Sequence, residues 1–168
     1  MKKMILGLAL LGMVSGCASA MPKYGIKVRS DKRTDFTKLR TYVSTAGWSA
    51  YDSAVDRQIT SAIERELAAL GLTRRESEPC DAVATYASIS RTDVDVKSKQ
   101  SPVTGLRREY PVGTLVVLLL EPGSRRELFR GRIDMPLERE PSKLAAQIDT
   151  SIARVFAKYP TRKAIRQR

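Results

Sequence analysis

Val112-Gly113-Thr114-Leu115-Val116-Val117-Leu118-Leu119-Leu120 is apolar on both alternations of an extended chain. That pattern predicts the central strand of a sheet with both faces at least partly covered. Glu121-Pro122-Gly123-Ser124 follows as a four-residue turn, and Arg125 to Asp134 returns as the antiparallel partner. If Leu120 stands opposite Arg125, then Leu118, Val116 and Val112 share a face with Phe129 and Ile133, and that face is expected under helices. The other face then carries Leu115, Val117, Leu119 and Leu128 with Arg126, Arg130 and Arg132. An apolar floor rimmed by guanidinium groups suits bidentate contact with phosphates above and acyl or aromatic groups below. The competing reading is that arginine stems merely cover an exposed sheet. A register slip of one residue exchanges the two faces, so everything about this candidate anion site depends on it.

Working outward toward the N-terminus, Ser98 to Glu109 holds Pro102 and Gly105 among charges and reads as a loop. Asp81 to Lys97 is rich in small and β-branched residues and predicts one long or bent strand. From Ser53 to Leu70 the period changes to 3.6: Val55, Ile59, Ile63, Leu67 and Leu70 form one stripe. Ser53 with Asp56 offers a start resembling a capping box, and Gly71 a left-handed stop. Thr73 to Pro79 is a polar run. Further back, Tyr24, Ile26 and Val28 alternate with Gly25, Lys27 and Arg29 as a first strand, and Leu39 to Thr45 suits a second. Beyond the central hairpin, Glu138 to Ser142 leads into a second helix. Pro141 lies near its first turn, Leu144, Ile148, Ile152, Val155, Phe156 and Tyr159 form its stripe, and Pro160 ends it. The expectation is an α+β domain over residues 23–160: an antiparallel-rich sheet of about five strands with two amphipathic helices on one face. Residues 161–168 form a basic tail.

The N-terminus carries an address. Lys2 and Lys3 precede an apolar run from Met4 to Met13, the layout of a secretory signal and too short to span a membrane as a helix. The run closes on Val14-Ser15-Gly16-Cys17, which resembles the lipobox of bacterial lipoproteins. The resemblance implies that residues 1–16 are a signal peptide, that Cys17 is lipidated and becomes the first residue, and that 17–22 form a short tether. Two or three acyl chains at ~0.8 kcal/mol per buried methylene hold a protein stably on a bilayer. Ala18 in place of Asp favours, by analogy with lipoprotein sorting, the outer membrane, with the domain facing the periplasm. A tether of about six residues keeps that domain within roughly 20 Å of the headgroups.

Taking 16 residues from 168 leaves 152, the size of one ordinary domain. The net charge of +12 loses Lys2 and Lys3 with the signal, leaving +10 before termini are counted. So basic a chain at a membrane surface implies an anionic lipid, lipopolysaccharide or a cell-wall polymer as partner, or an envelope protein, rather than nucleic acid. Tyr86 and Tyr110 are too scattered to make a base-stacking platform. With Cys17 lipidated, Cys80 is an odd thiol, either a small buried hydrophobe or a redox-active link. There is no histidine, which removes Ser/His and Cys/His nucleophile pairs and all His-ligated metal sites. Asp31/Asp35, Asp52/Asp56, Glu76/Glu78 and Asp93/Asp95 are the paired carboxylates available for acid–base chemistry, and each pair lies among Lys and Arg, as on a solvated face. No metal site and no cofactor is expected.

Asp35-Phe36 with Tyr42, the helix ending in Leu-Gly, Gly113-Thr114-Leu115, Leu128-Phe129-Arg130-Gly131 and Phe156-Ala157-Lys158-Tyr159-Pro160 together resemble the bacterial lipoprotein family of domain of unknown function 4136. The likeness covers nearly all of the mature chain. Phe129 stands where that family often has Trp, and Glu121 where Asp is usual. The motifs imply the fold and the envelope address and no activity. The expected function is a non-enzymatic outer-membrane lipoprotein with an anion- or protein-binding domain. The alternative is a hydrolase or transferase acting on envelope polymers through a Ser/Lys or carboxylate site. Side chains converging in a deep cleft would favour the enzyme, and a shallow basic face the binder.

Overall fold

The computed structural model describes residues 24–49 and 51–161. The expected signal peptide 1–16, the expected lipidated Cys17 with its tether to residue 22, and all of the basic tail after Thr161 lie outside the described residues. In chain order the elements are β1 (Gly25–Ser30), β2 (Thr41–Ser44), α1 (Ser53–Ala69), β3 (Thr73–Arg75), β4 (Ala82–Val94), β5 (Glu109–Leu120), β6 (Glu127–Pro136) and α2 (Pro141–Phe156). They form one six-stranded sheet in the order β1-β6-β5-β4-β2-β3. The fold is α+β with both helices packed on one face, as expected, but the sheet has a sixth strand and is mixed. β2 runs parallel to both β3 and β4, while the pairs β1–β6, β6–β5 and β5–β4 are antiparallel. The parallel pair is a consequence of α1, which crosses over from β2 to β3 as a helix must to connect parallel strands. Thr73–Arg75 gives no sequence signal because all three residues are exposed on an edge strand, so there is no buried alternation to read.

Each helix end has a local cause. Asp52, not Ser53, caps α1: its Oδ1 accepts the backbone N–H groups of Ala54 (2.9 Å) and Val55 (3.0 Å). At the other end Gly71 takes φ 84°, and the N–H groups of Gly71 and Leu72 return to the carbonyls of Ala68 and Leu67. That pair of bonds satisfies two otherwise orphaned carbonyls and stops the helix. At the start of α2, Pro141 occupies the first turn, where a missing N–H costs nothing.

The core lies between the helices and the sheet. Ile59, Ala62, Ile63 and Leu67 of α1 and Ile152, Val155 and Phe156 of α2 pack on Ala84, Tyr86, Leu115, Val117, Leu119, Phe129 and Ile133. Phe129 stacks on Phe156 at 5.6 Å between centroids, Tyr159 tilts against both at 5.2 and 6.4 Å, and Phe36 meets Tyr159 edge-on at 5.2 Å. These four rings sit in three of the short motifs that carry the family likeness, so the motifs are joined by packing.

The register of the central hairpin corrects the sequence reading. Phe129 and Ile133 do face the helices, being 0% and 3% exposed. However, Leu119 pairs with Phe129 and Leu115 with Ile133, so Leu115, Val117 and Leu119 line the core, and Val116 and Leu118 turn the other way. The reason is the turn together with a bulge: the turn moves the pairing by two residues, which keeps the faces, and the bulge adds the one that exchanges them. Six residues, Glu121 to Arg126, separate the strands, closed by the Glu121 N–H donating to the Arg126 carbonyl at 2.8 Å. Gly123 (φ 74°) and Arg125 (φ 57°) both adopt left-handed conformations, which keeps Arg125 in the turn and out of the ladder. A bulge then places Leu128, expected on the outer face, in the core at 3% exposure.

Gly131 fixes which way β6 faces. A Cβ at this position would lie 2.2 Å from Cγ1 of Val155 on α2. Its neighbours Arg130 and Arg132 therefore point away from the helices, to a face that no second layer covers among the described residues.

Candidate anion-binding trough

β1 lies beside β6 in antiparallel register, with Lys27 opposite Arg132 and Arg29 opposite Arg130. Because Ile26 and Val28 take the helix side, all four cations share the open face. Like charges directly opposite one another across strands destabilise a sheet, and here two such pairs stand in adjacent positions of one face. Arg130 reaches Glu127 at 3.2 Å and Arg132 reaches Asp134 at 2.7 Å, whereas Lys27 and Arg29 make no ion pair among the described residues. Along this edge run two open depressions, of about 590 and 670 Å³, which share Arg29 and Arg130 and so form one trough. Arg91 and Lys27 line one end, Lys32, Arg33 and Arg126 the other, and the carboxylates along it are Asp31, Glu127 and Asp134.

Its polar groups are held in fixed protonation states. The Asp134 carboxylate accepts Nε and Nη2 of Arg132 (2.7 and 3.0 Å) and the Thr114 hydroxyl (2.6 Å). The Arg132 guanidinium, first among these, keeps it below the ordinary aspartate range. Asp93 is likewise lowered, first by Arg91 at 3.0 Å and then by the Tyr24 phenol, which donates to it at 2.7 Å. Desolvation, followed by the hydrogen bonds to Tyr110 and Asp93, pushes the Tyr24 phenol upward. Asp134 and Asp93 thus stay ionised and Tyr24 neutral at physiological pH, an arrangement for holding charge rather than for moving protons.

Of the three arginines singled out from sequence, the structure brings Arg130 and Arg132 together and separates Arg126. The Arg126 guanidinium bridges Asp31 and Glu121, the latter at 2.7 Å, and pins the turn at the far end of the trough. The residues missed are Lys27, Arg29 and Arg91. The alternation of Lys27 and Arg29 was visible in the sequence, but the β1–β6 pairing that sets them beside Arg130 and Arg132 joins positions about a hundred residues apart, and Arg91 comes from β4, two strands away from β6. The apolar residues beside the arginines are also corrected: Leu118 and Val116 stand opposite Arg130 and Arg132, where Leu115, Val117 and Leu119 were expected.

Asp31, Asp35, Asp52, Asp93 and Asp95 of the paired carboxylates are engaged locally. Asp31 faces Arg33 and Arg126, Asp35 accepts from Thr37, Asp52 caps α1, and Asp95 accepts the Lys97 N–H. Among the described residues no three Cys, Asp or Glu side chains come together as a metal site would require. A further depression of about 40 Å³ lies between both helices and the sheet, lined mainly by apolar side chains such as Val55, Leu115 and Ile148. At about three times the ~10–15 Å³ needed to seat one water, it is a packing gap and not a substrate cleft. Cys80 is half-buried just ahead of β4.

Residues 26–161 match the family described as domain of unknown function, DUF4136. The chain belongs to the DUF4136 family. The match takes in every cation of the trough, so the DUF4136 domain here is the sheet, its two helices and the basic edge. No curated protein matches the sequence. Among solved structures, a PDZ domain protein from Parabacteroides distasonis is similar over 82% of this chain, with a TM-score of 0.55 and 13% identity; the chain spans only 35% of that protein. PelC from Paraburkholderia phytofirmans, solved as a dodecamer, is similar over 80% of this chain and 96% of its own, with a TM-score of 0.52 and 13% identity. At such identities the likeness is one of fold.

Proposed function

We propose that this DUF4136 protein is a non-enzymatic envelope lipoprotein, anchored through lipidated Cys17 in the outer membrane and facing the periplasm, whose β1–β6 trough binds an anionic envelope component. The observation that carries the binding reading is the adjacent pairing of Lys27 with Arg132 and Arg29 with Arg130, a like-charge arrangement that lowers stability unless an anion offsets it. Guanidinium forks suit phosphate or carboxylate oxygens, and a trough along a strand suits a linear polyanion or a row of headgroup phosphates. The lipid anchor is supported by the residues around Cys17. The hydrolase reading finds less support, because the carboxylates of the trough are tied to arginines.

The test is replacement of Lys27, Arg29, Arg130 and Arg132 together by Gln, with Arg126→Gln as a comparison. Binding of purified lipopolysaccharide and of inorganic polyphosphate is expected to fall by about tenfold or more in the fourfold variant and to weaken with salt in the parent. Unchanged binding in the fourfold variant overturns the trough. For the anchor, Cys17→Ser is expected to leave an unprocessed or soluble chain on membrane fractionation, and a chain that stays acylated and membrane-bound without Cys17 overturns it.

A further inference from the structure

The large apolar side chains most exposed among the described residues are Trp48, Ile89, Val94, Val96, Val103 and Leu106, and all but Trp48 lie on the β4–β5 hairpin. Val103 is 90% exposed, Leu106 65% and Val96 61%. This is not a loop that has failed to fold. The ladder continues past both strands through the Asp95 N–H to the Arg108 carbonyl (2.8 Å), and the tip is closed by Ser101 to Leu106 and Gly105 to Ser101, each 2.8 Å. Gly105 takes φ 67° to allow that turn. Arg107 ties the two arms by donating to the carbonyls of Val96 and Ser98. The apolar side chains are thus held outward by a hydrogen-bonded frame.

Two features say what covers them. First, from residue 96 to 108 the chain holds Lys97, Lys99, Arg107 and Arg108 and no acid. The outward apolar groups of the tip, Val103 and Leu106, have cations and no acids along this segment, which matches the interface of an anionic bilayer, where the apolar groups enter the acyl boundary and the cations meet phosphates. Second, the hairpin lies at the end where the chain enters the domain. Tyr24 bonds both Asp93 and Tyr110 at 2.7 Å, at the root of this hairpin. Tyr24 follows Cys17 by only seven positions, so that root lies within about 25 Å of the anchor at ~3.3–3.6 Å per residue.

We propose that the tip of the β4–β5 hairpin is a second membrane contact, seating Val103 and Leu106 in an anionic lipid surface beside the anchor. The orientation rests on the Cys17 reading, while the amphipathic tip does not. With two contacts the domain stands in one orientation, hairpin end down, and the trough runs up from the membrane.

The experiment uses the acylated chain carrying Trp48→Phe and Val103→Trp, reconstituted in phosphatidylethanolamine–phosphatidylglycerol vesicles with and without bromine on the acyl chains. Quenching of the tryptophan by about twofold or more is expected, together with a blue shift, and both should shrink in phosphatidylcholine and in a Lys97→Gln, Lys99→Gln, Arg108→Gln variant. Equal fluorescence in brominated and plain vesicles overturns the proposal, as does a tip covered instead by a second copy, read as concentration-dependent cross-linking through residue 103. Mass spectrometry of the same sample reads acylation of Cys17 separately. An unquenched but acylated chain sinks the hairpin contact alone, and a quenched chain acylated elsewhere sinks the anchor alone. A match of circular dichroism and melting to the parent ensures that the variants are folded.

Discussion

Gly131→Ala tests the orientation of β6 with the smallest possible change. The added methyl would stand 2.2 Å from Val155 Cγ1, 3.0 Å from its Cγ2 and 3.1 Å from its Cβ. Ordinary carbon contacts lie near ~3.5–4.0 Å, so α2 must move by more than an ångström or Val155 must leave its site. Val155 is fully buried between α2 and the sheet, and overpacking of such a site costs about 1–3 kcal/mol. The lower unfolded-state entropy of Ala returns no more than ~1 kcal/mol. A net loss of about 2 kcal/mol lowers the melting temperature by roughly 5–10 °C for a domain of this size. Urea and thermal unfolding measure it, and Gly131→Ala with Val155→Ala should lose less than the sum of the single changes by about 1 kcal/mol. Parent-like stability of Gly131→Ala would refute the reasoning. It would turn Gly131 to the open face and put Arg130 and Arg132 beneath α2.

Tyr159→Phe should melt at or above the parent temperature, by up to about 1 kcal/mol, because the hydroxyl is buried without a partner and burial pushes it up to about 12; a clear loss would reveal an unseen bond. Asp81→Ala should cost about 1 kcal/mol by urea unfolding, since Asp81 Oδ2 accepts the N–H groups of Arg40 (2.9 Å) and Thr41 (2.8 Å) and ties the entry of β2 to that of β4. Acid stability should register Asp134: its pKa is lowered on folding, so its contribution is complete above the unfolded value of about 3.9 and is lost as pH falls through the lower folded value. Asp134→Asn should therefore flatten the stability profile below about pH 4 relative to the parent, and parallel profiles would contradict the Arg132–Asp134 pairing.

Much of the architecture was legible because burial imposes a period. The stripes of α1 and α2 and the double alternation of β5 gave both helices and the central strand within a few residues. Where burial is absent the reading failed: β3 is exposed throughout, and its pairing depends on a parallel crossover. The faces of β5 were exchanged because a bulge at Leu128 adds one unpaired residue to β6, and a slip of one residue turns every side chain over. A left-handed Arg125 is not what its residue type predicts; it lengthens the turn so that Leu120 meets Glu127, two positions beyond Arg125, and the bulge adds the third. The trough was half legible. Arg130 and Arg132 were found from one strand, Lys27, Arg29 and Arg91 needed the sheet order, and Arg126 left the set when Asp31 and Glu121 took its charge.

The central claim is that the anion sits along β1 and β6. The most direct measurement is an NMR titration of the isotopically labelled lipoprotein in nonionic micelles with inorganic polyphosphate, following backbone amides and arginine Nε–H signals. Saturable shifts at Lys27, Arg29, Arg130 and Arg132, reversed by salt, are the predicted result. Saturable shifts confined to other surfaces, or none at these four residues, would contradict it.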